Sequence, residues 1–161
     1  MSSQRGPRDD RRRRLFLGGG TIGFGFGAVI DVLLFHLVFQ SHHLLSGIYD
    51  PHSMDGFRTN VTIDGLFTLL MTAVTIVGLV IVWRVVNRAA ERLSGRYLVG
   101  AIVVGMGVFN VFDGVVSHYV LDIHDVAHGT EAWNPHWLVV SVVLLVVGLL
   151  LLRSADGYRV G

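Results

Sequence analysis

Four apolar runs govern what this chain can fold into. They cover about 15–39, 61–83, 97–120 and 134–152. Each is long enough to cross a bilayer as a helix at ~1.5 Å per residue. An unpaired backbone amide or carbonyl in lipid is too costly to leave exposed, so a crossing run of this kind has to be helical. The expected architecture is an all-α membrane protein, a four-helix transmembrane bundle. Its four-span domain covers 15–153, with a disordered Arg-rich cytoplasmic tail over 1–14 and a second cytoplasmic tail over 154–161. Charged residues make up only 16% of the chain and gather between the runs, as such a fold demands. The fourth run opens on Asn134 and Pro135, which suit a cap and a first helical position.

Charge placement predicts orientation. All thirteen basic residues are Arg, and twelve lie in the N-terminal stretch, in 84–96 or near the C-terminus. Only Arg58 falls on the other side. The positive-inside bias then puts both termini in the cytoplasm and the protein in the cell (plasma) membrane. Arg13-Arg14-Leu15-Phe16-Leu17 matches the core of a twin-arginine export signal. The segment after it continues as a full span with Asp31 inside and no small-residue cleavage site, so a membrane anchor is the expectation. All eight His fall on the side opposite the Arg. Without cysteine, thiolate metal sites and cysteine nucleophiles are excluded.

Two of the runs carry the same polar frame. Residues 23–42 and 105–124 share G-x-G-x5-D-x4-H-x5-H at an offset of 82. Gly23, Gly25, Asp31, His36 and His42 fall on Gly105, Gly107, Asp113, His118 and His124. The frame predicts an internal repeat of two parallel helix hairpins. Gly19, Gly23 and Gly27 form one small-residue stripe, and Ala101 with Gly105 forms another. Small residues let helix backbones approach closely in lipid, so the first and third spans should lie side by side at the centre.

An ionisable side chain inside a span is expensive and marks function by default. The expected site is a transition metal centre near the extracytoplasmic face, with ligands drawn from Asp31, His36, His42, His43, Asp113, His118, His124 and His128. Gln40, Asp64, Asn110, Asp122 and His136 are the expected supporting residues. Imidazole and carboxylate without sulfur suit Cu, Zn, Fe or Mn alike. The spacing raises a difficulty, because residues five apart on a regular α-helix diverge by ~140°. Asp31 and His36 can share an ion only if the helix is distorted there or if Asp acts through His. His36, Gln40 and His43, like His118, Asp122 and Asp125, are spaced for one α-helical face. His124 and His128 would chelate at i, i+4 if the third helix ran past residue 121.

Other readings of the same residues stay open. The Asp and His side chains could hold the bundle together as a buried polar network. A b-type haem could sit between His36 and His118. A proton or ion pathway would use Asp31, Asp113 and the His, although the inner halves of the spans carry almost no polar residue. Whether the protein is an enzyme is open too; Ser117 beside His118 does not make a dyad. Metal chemistry could be redox work or delivery to a respiratory oxidase. The expected partners are the lipid bilayer and a membrane or periplasmic protein, with no nucleic acid.

The order of motifs resembles a family. Asp31, His36, Gln40, His42, His43, Leu44, Leu45 and Ser46 form the first part. Asp64-Gly65-Leu66-Phe67 follows, then Gly107-Val108-Phe109-Asn110 with Asp113-Gly114, His118 and His124. Over roughly residues 20–145 this is similar to the uncharacterised integral membrane proteins known as domain of unknown function 2243. The resemblance implies four spans and many His, and brings no activity with it. Val32 stands here where that pattern carries a Gly, and Thr68, Tyr119 and Asp125 stand where it carries further His.

Overall fold

A computed structural model describes residues 6–89 and 93–157 of the chain. Met1–Arg5 of the expected N-terminal tail, Arg92 and Arg159 lie outside the described residues. Among the described residues, four helices are long and apolar enough to cross a membrane. Helix α1 covers Pro7–Asp31 and runs on as a π-helical segment, Val32–Val38. Helix α2 covers Met54–Asn87. Helix α3 covers Gly95–Val115 and ends in a second π-helical segment, Val116–Val120. Helix α4 covers Asn134–Gly157 after a short 3₁₀ turn, Glu131–Trp133.

The helices reach beyond the apolar runs because a helix ends where its backbone finds a cap, not where hydropathy falls. The Ser53 hydroxyl accepts from the Gly56 amide and starts α2, and the Ser94 hydroxyl accepts from the Tyr97 amide and starts α3. At α1, Pro7 suits the first turn, and Asp9 and Asp10 face its positive dipole end. The helix therefore already includes 7–14, which composition alone reads as tail. The Arg12 guanidinium lies 4.8 Å over the Tyr97 ring and ties this end of α1 to α3. The cap expected of Asn134 is made instead by Thr130, whose hydroxyl accepts from the Ala132 amide. Asn134 is already helical and fully buried.

Helices α1 and α3 form the centre; α2 packs on α1, and α4 on α3. The apolar windows of α1 and α3 are each 44% buried, against 11% and 17% for α2 and α4, which turn most of their Val and Leu outward to lipid. The two glycines of the G-x-G frame divide the contacts. A Cβ on Gly23 would fall on the Ile102 carbonyl, and one on Gly105 on the Gly20 carbonyl, so both sit in the α1–α3 crossing. Gly25 lies against Met71 and Thr75 of α2, while Gly107 lies against Leu145 of α4. Close packing of this kind is what drives helix association in lipid. Below the polar cluster, Phe24 and Phe109 meet edge to face at 5.4 Å, with Met71 and Ala28 beside them.

Candidate metal centre

The π-helical segments resolve the spacing problem. A π turn closes i→i+5 instead of i→i+4, which brings residues five apart onto one face. It occurs at matching places in α1 and α3, where Phe39 N donates to Leu34 O and Leu121 N to Val116 O. His36 Nε2 consequently lies 3.7 Å from Asp31 Oδ2, and His118 Nε2 lies 3.4 Å from Asp113 Oδ2. Each helix then stops on a residue at φ 50°, Gln40 and Asp122. This sharp turn folds the next residues back, so His42 and His124 rejoin the His from which they are six residues removed. The His36 and His42 rings are 4.4 Å apart, and the His118 and His124 rings 4.7 Å.

Two triads result, Asp31/His36/His42 and Asp113/His118/His124, each with candidate ligand atoms within 4.8 Å of one another. They adjoin, since the His42 and His124 rings stack 5.0 Å apart at 9°. The two outer loops, 39–53 and 121–130, close over them. Gly47 N donates to Ile123 O and His128 N to Ser41 O, both at 2.8 Å. Every member of the two triads is at most 5% exposed.

The ring nitrogens are sorted by what their far sides touch. A carbonyl oxygen can only accept, so a ring nitrogen bonded to one carries the proton. His42 Nδ1 donates to Val126 O, and His124 Nδ1 donates to Leu44 O, both at 3.0 Å. Asp64, fully buried on α2, accepts from His36 Nδ1 at 2.8 Å, from His43 Nδ1 at 2.7 Å and from the Leu44 amide at 3.0 Å. The Nε2 atoms of His42 and His124 are thereby left as lone pairs aimed inward, while His36, held at Nδ1 by Asp64, turns its Nε2 toward Asp31. Burial, and then the neighbouring imidazoles, depress the pKa of His42 strongly. Burial first also lowers His124 to about 4. Both are neutral at pH 7, the form that ligates metal.

Seven buried side-chain atoms among the described residues lack a hydrogen-bond partner, and six belong to these triads. They are Asp31 Oδ1, His36 Nε2, Asp113 Oδ2, His124 Nε2 and both ring nitrogens of His118. Such clustering is far from the usual rule that buried polar groups are satisfied. It also sets acceptor against acceptor: the His124 Nε2 lone pair faces Asp113 Oδ1 at 3.8 Å.

Not every expected residue joins this centre. His43 lies outside these two triads but forms a third buried group with His36 and Asp64, whose candidate ligand atoms are within 4.8 Å of one another, and its Nδ1 donates to Asp64. Helix α3 ends at Val120, so His124 and His128 do not share a helical face. His128 is half-buried and stands with His43 and the exposed His52, its ring 5.7 Å and 6.1 Å from theirs. Gln40 and Asp122 are exposed and serve as turn residues, which breaks the i, i+4, i+7 alignment expected of them. His136 is exposed beside Trp133 and bonds the Ala132 carbonyl, away from the triads. Asn110 contributes its carbonyl to Trp137 Nε1. Asp125 accepts from Asn134, which in turn accepts from the Val126 amide and so places the carbonyl that holds His42. Neither the Leu44 and Val126 carbonyls nor this role of Asn134 carries a sequence signal; the i, i+5 spacing was the available clue to the π turns.

Residues 18–155 match the family described as "Predicted membrane protein (DUF2243)", and the chain belongs to that family. The lipoprotein signal peptidase of Vibrio vulnificus (strain CMCP6) is similar, 28% identical over 138 residues that cover 86% of this chain and 75% of that protein. The lipoprotein signal peptidase of Vibrio cholerae serotype O1 (strain M66-2) is 26% identical over 138 residues, 86% and 74% of the two chains. No solved structure matches the chain.

Proposed function

We propose that this membrane protein holds a resident transition metal centre at the end of the bundle away from its Arg-rich end, ligated by Asp31, His36, His42, Asp113, His118 and His124. One observation carries the reading: buried imidazole nitrogens and carboxylate oxygens without hydrogen-bond partners face one another within the two triads. A cation placed among them satisfies both sides, and an imidazole held at Nδ1 by a carbonyl or carboxylate is the usual arrangement behind a metal-bound Nε2. Four imidazoles and two carboxylates suit Cu, Zn, Fe or Mn. The cross-bonded loops favour a resident centre for redox chemistry over a carrier that delivers metal to an oxidase, because a carrier needs exchangeable ligands. The Arg distribution supports cytoplasmic termini in the plasma membrane, which puts the centre near the outer face. Against a haem between His36 and His118, His42 fills that space, its ring 4.4 Å from one and 6.3 Å from the other.

The test is metal analysis and an absorption spectrum of detergent-purified protein, beside a His36→Ala/His118→Ala variant of unchanged helicity. At least one transition metal per chain, lost in the variant, supports the reading. Protein that stays metal-free through reconstitution with Cu, Zn, Fe and Mn sinks it, and a Soret band replaces it with haem.

The likeness to lipoprotein signal peptidases favours a second reading, a membrane-embedded peptidase working through the buried carboxylates of α1 and α3. Two aspartates that share a catalytic proton must face each other. Here each carboxylate also meets imidazoles, Asp31 at 3.7 Å from His36 Nε2 and Asp113 at 3.4 Å from His118 Nε2, which is why the metal reading stands first. Cleavage of a lipoprotein precursor by metal-free protein, abolished in Asp31→Asn and Asp113→Asn, would reverse that order.

A further inference from the structure

The opposite end of the molecule carries its own cavity. About 710 Å³ opens between the first turns of α1 and the last turns of α2, lined by Arg11, Arg14, Arg84 and Arg88 around Asp10. Asp10 engages Arg14 at 3.3 Å. Among the described residues no carboxylate pairs with Arg11, Arg84 or Arg88, so the cavity has a surplus of guanidinium. Its floor is apolar, formed by Leu17, Ile81 and Val85. A second groove of about 330 Å³ starts at the same Leu17. It descends α1 past Phe16 and Phe24, with Val74 of α2 and Val104 of α3 as walls.

We propose that this pair of cavities binds an anionic phospholipid, with its phosphate among the four Arg and an acyl chain in the groove that begins at Leu17. Guanidinium matches phosphate oxygens with paired hydrogen bonds. Basic pockets between spanning helices at this level suit anionic headgroups. A soluble phosphate would use the Arg but leave the apolar floor and groove exposed. A basic cavity and an apolar groove that meet at the shared lining residue Leu17 suit an amphiphile, and the site is independent of the metal centre.

The experiment is native mass spectrometry of the full chain released from a neutral detergent, with phosphatidylglycerol, phosphatidylcholine or inorganic phosphate added. Phosphatidylglycerol is expected to persist as a one-to-one adduct that phosphatidylcholine and phosphate do not displace. Arg84→Gln/Arg88→Gln should weaken its retention roughly thirtyfold, since two charges at a membrane surface are removed. Arg153→Gln, at the same end but outside the cavity, should leave it unchanged. Equal retention of the two lipids by the wild type overturns the proposal without recourse to any variant. Displacement by phosphate, or full retention in the double variant, overturns it as well.

Discussion

The two triads share a frame, a π turn and a left-handed residue, yet they are not held alike. In the first, His36 is fixed from behind by Asp64 of α2, which also fixes His43. In the second, no carboxylate of a flanking helix backs His118: its Nδ1 has no hydrogen-bond partner, its Nε2 meets Asp113 of its own helix at 3.4 Å, and the Trp137 ring of α4 lies 6.4 Å away. The halves thus agree where a helix speaks to itself and differ where it meets its flanking helix. One His is oriented in advance, while the other is left to whatever occupies the centre.

The largest test of this comparison removes one ligand from each side. His42→Ala/His124→Ala is expected to abolish metal binding, read by metal analysis. Asp31→Asn/His36→Ala, confined to one side, should halve the metal content if each triad holds its own ion. It should empty the site if the triads share one ion. Next in size is Asp64→Asn, which strikes the first triad directly, through His36, and the second only through Leu44. Loss of a carboxylate behind a ligating His should weaken metal affinity by about 10–100-fold, measured by competition with a chelator. The metal-free protein should also lose about 1–3 kcal/mol of stability, because the two imidazole N–H groups and the Leu44 amide lose an ionised acceptor.

The glycines ask whether the halves agree away from the centre. Gly23→Ala and Gly105→Ala should each cost ~1–3 kcal/mol, as both force α1 and α3 apart. Gly65→Ala, with nothing within 4 Å of the added Cβ, should be near neutral. Unequal costs at Gly23 and Gly105 in detergent unfolding would show that the crossing is not symmetric. The smallest effect belongs to the turns. Gln40→Gly and Asp122→Gly relieve a left-handed conformation and should each add roughly 0.5 kcal/mol. Metal content should not change, and a loss in Gln40→Gly would mean that its side chain, not its backbone, matters.

The sequence alone determined the four helices, because backbone polar groups in lipid leave apolar runs no other choice. It determined that α1 and α3 meet, because the stripe containing Gly23 and Gly105 is a local property of each helix. It also marked Asp31, His36, Asp113 and His118, because ionisable residues are costly inside apolar runs, and His42 and His124, because they recur in the same register just beyond them. Only the tertiary structure decided how they face one another. The π turns depend on a shift in backbone pairing that a regular helical wheel hides. His42 and His124 are oriented by Val126 and Leu44, carbonyls that lie 84 and 80 residues away along the chain. Asp64 reaches His36 while His136 stays away from the triads, although both were expected among the supporting residues. Residue type states what a side chain could bind. Which atoms stand behind it is set by distant parts of the chain, and that fixes the tautomer, the direction of the lone pair and membership of the site.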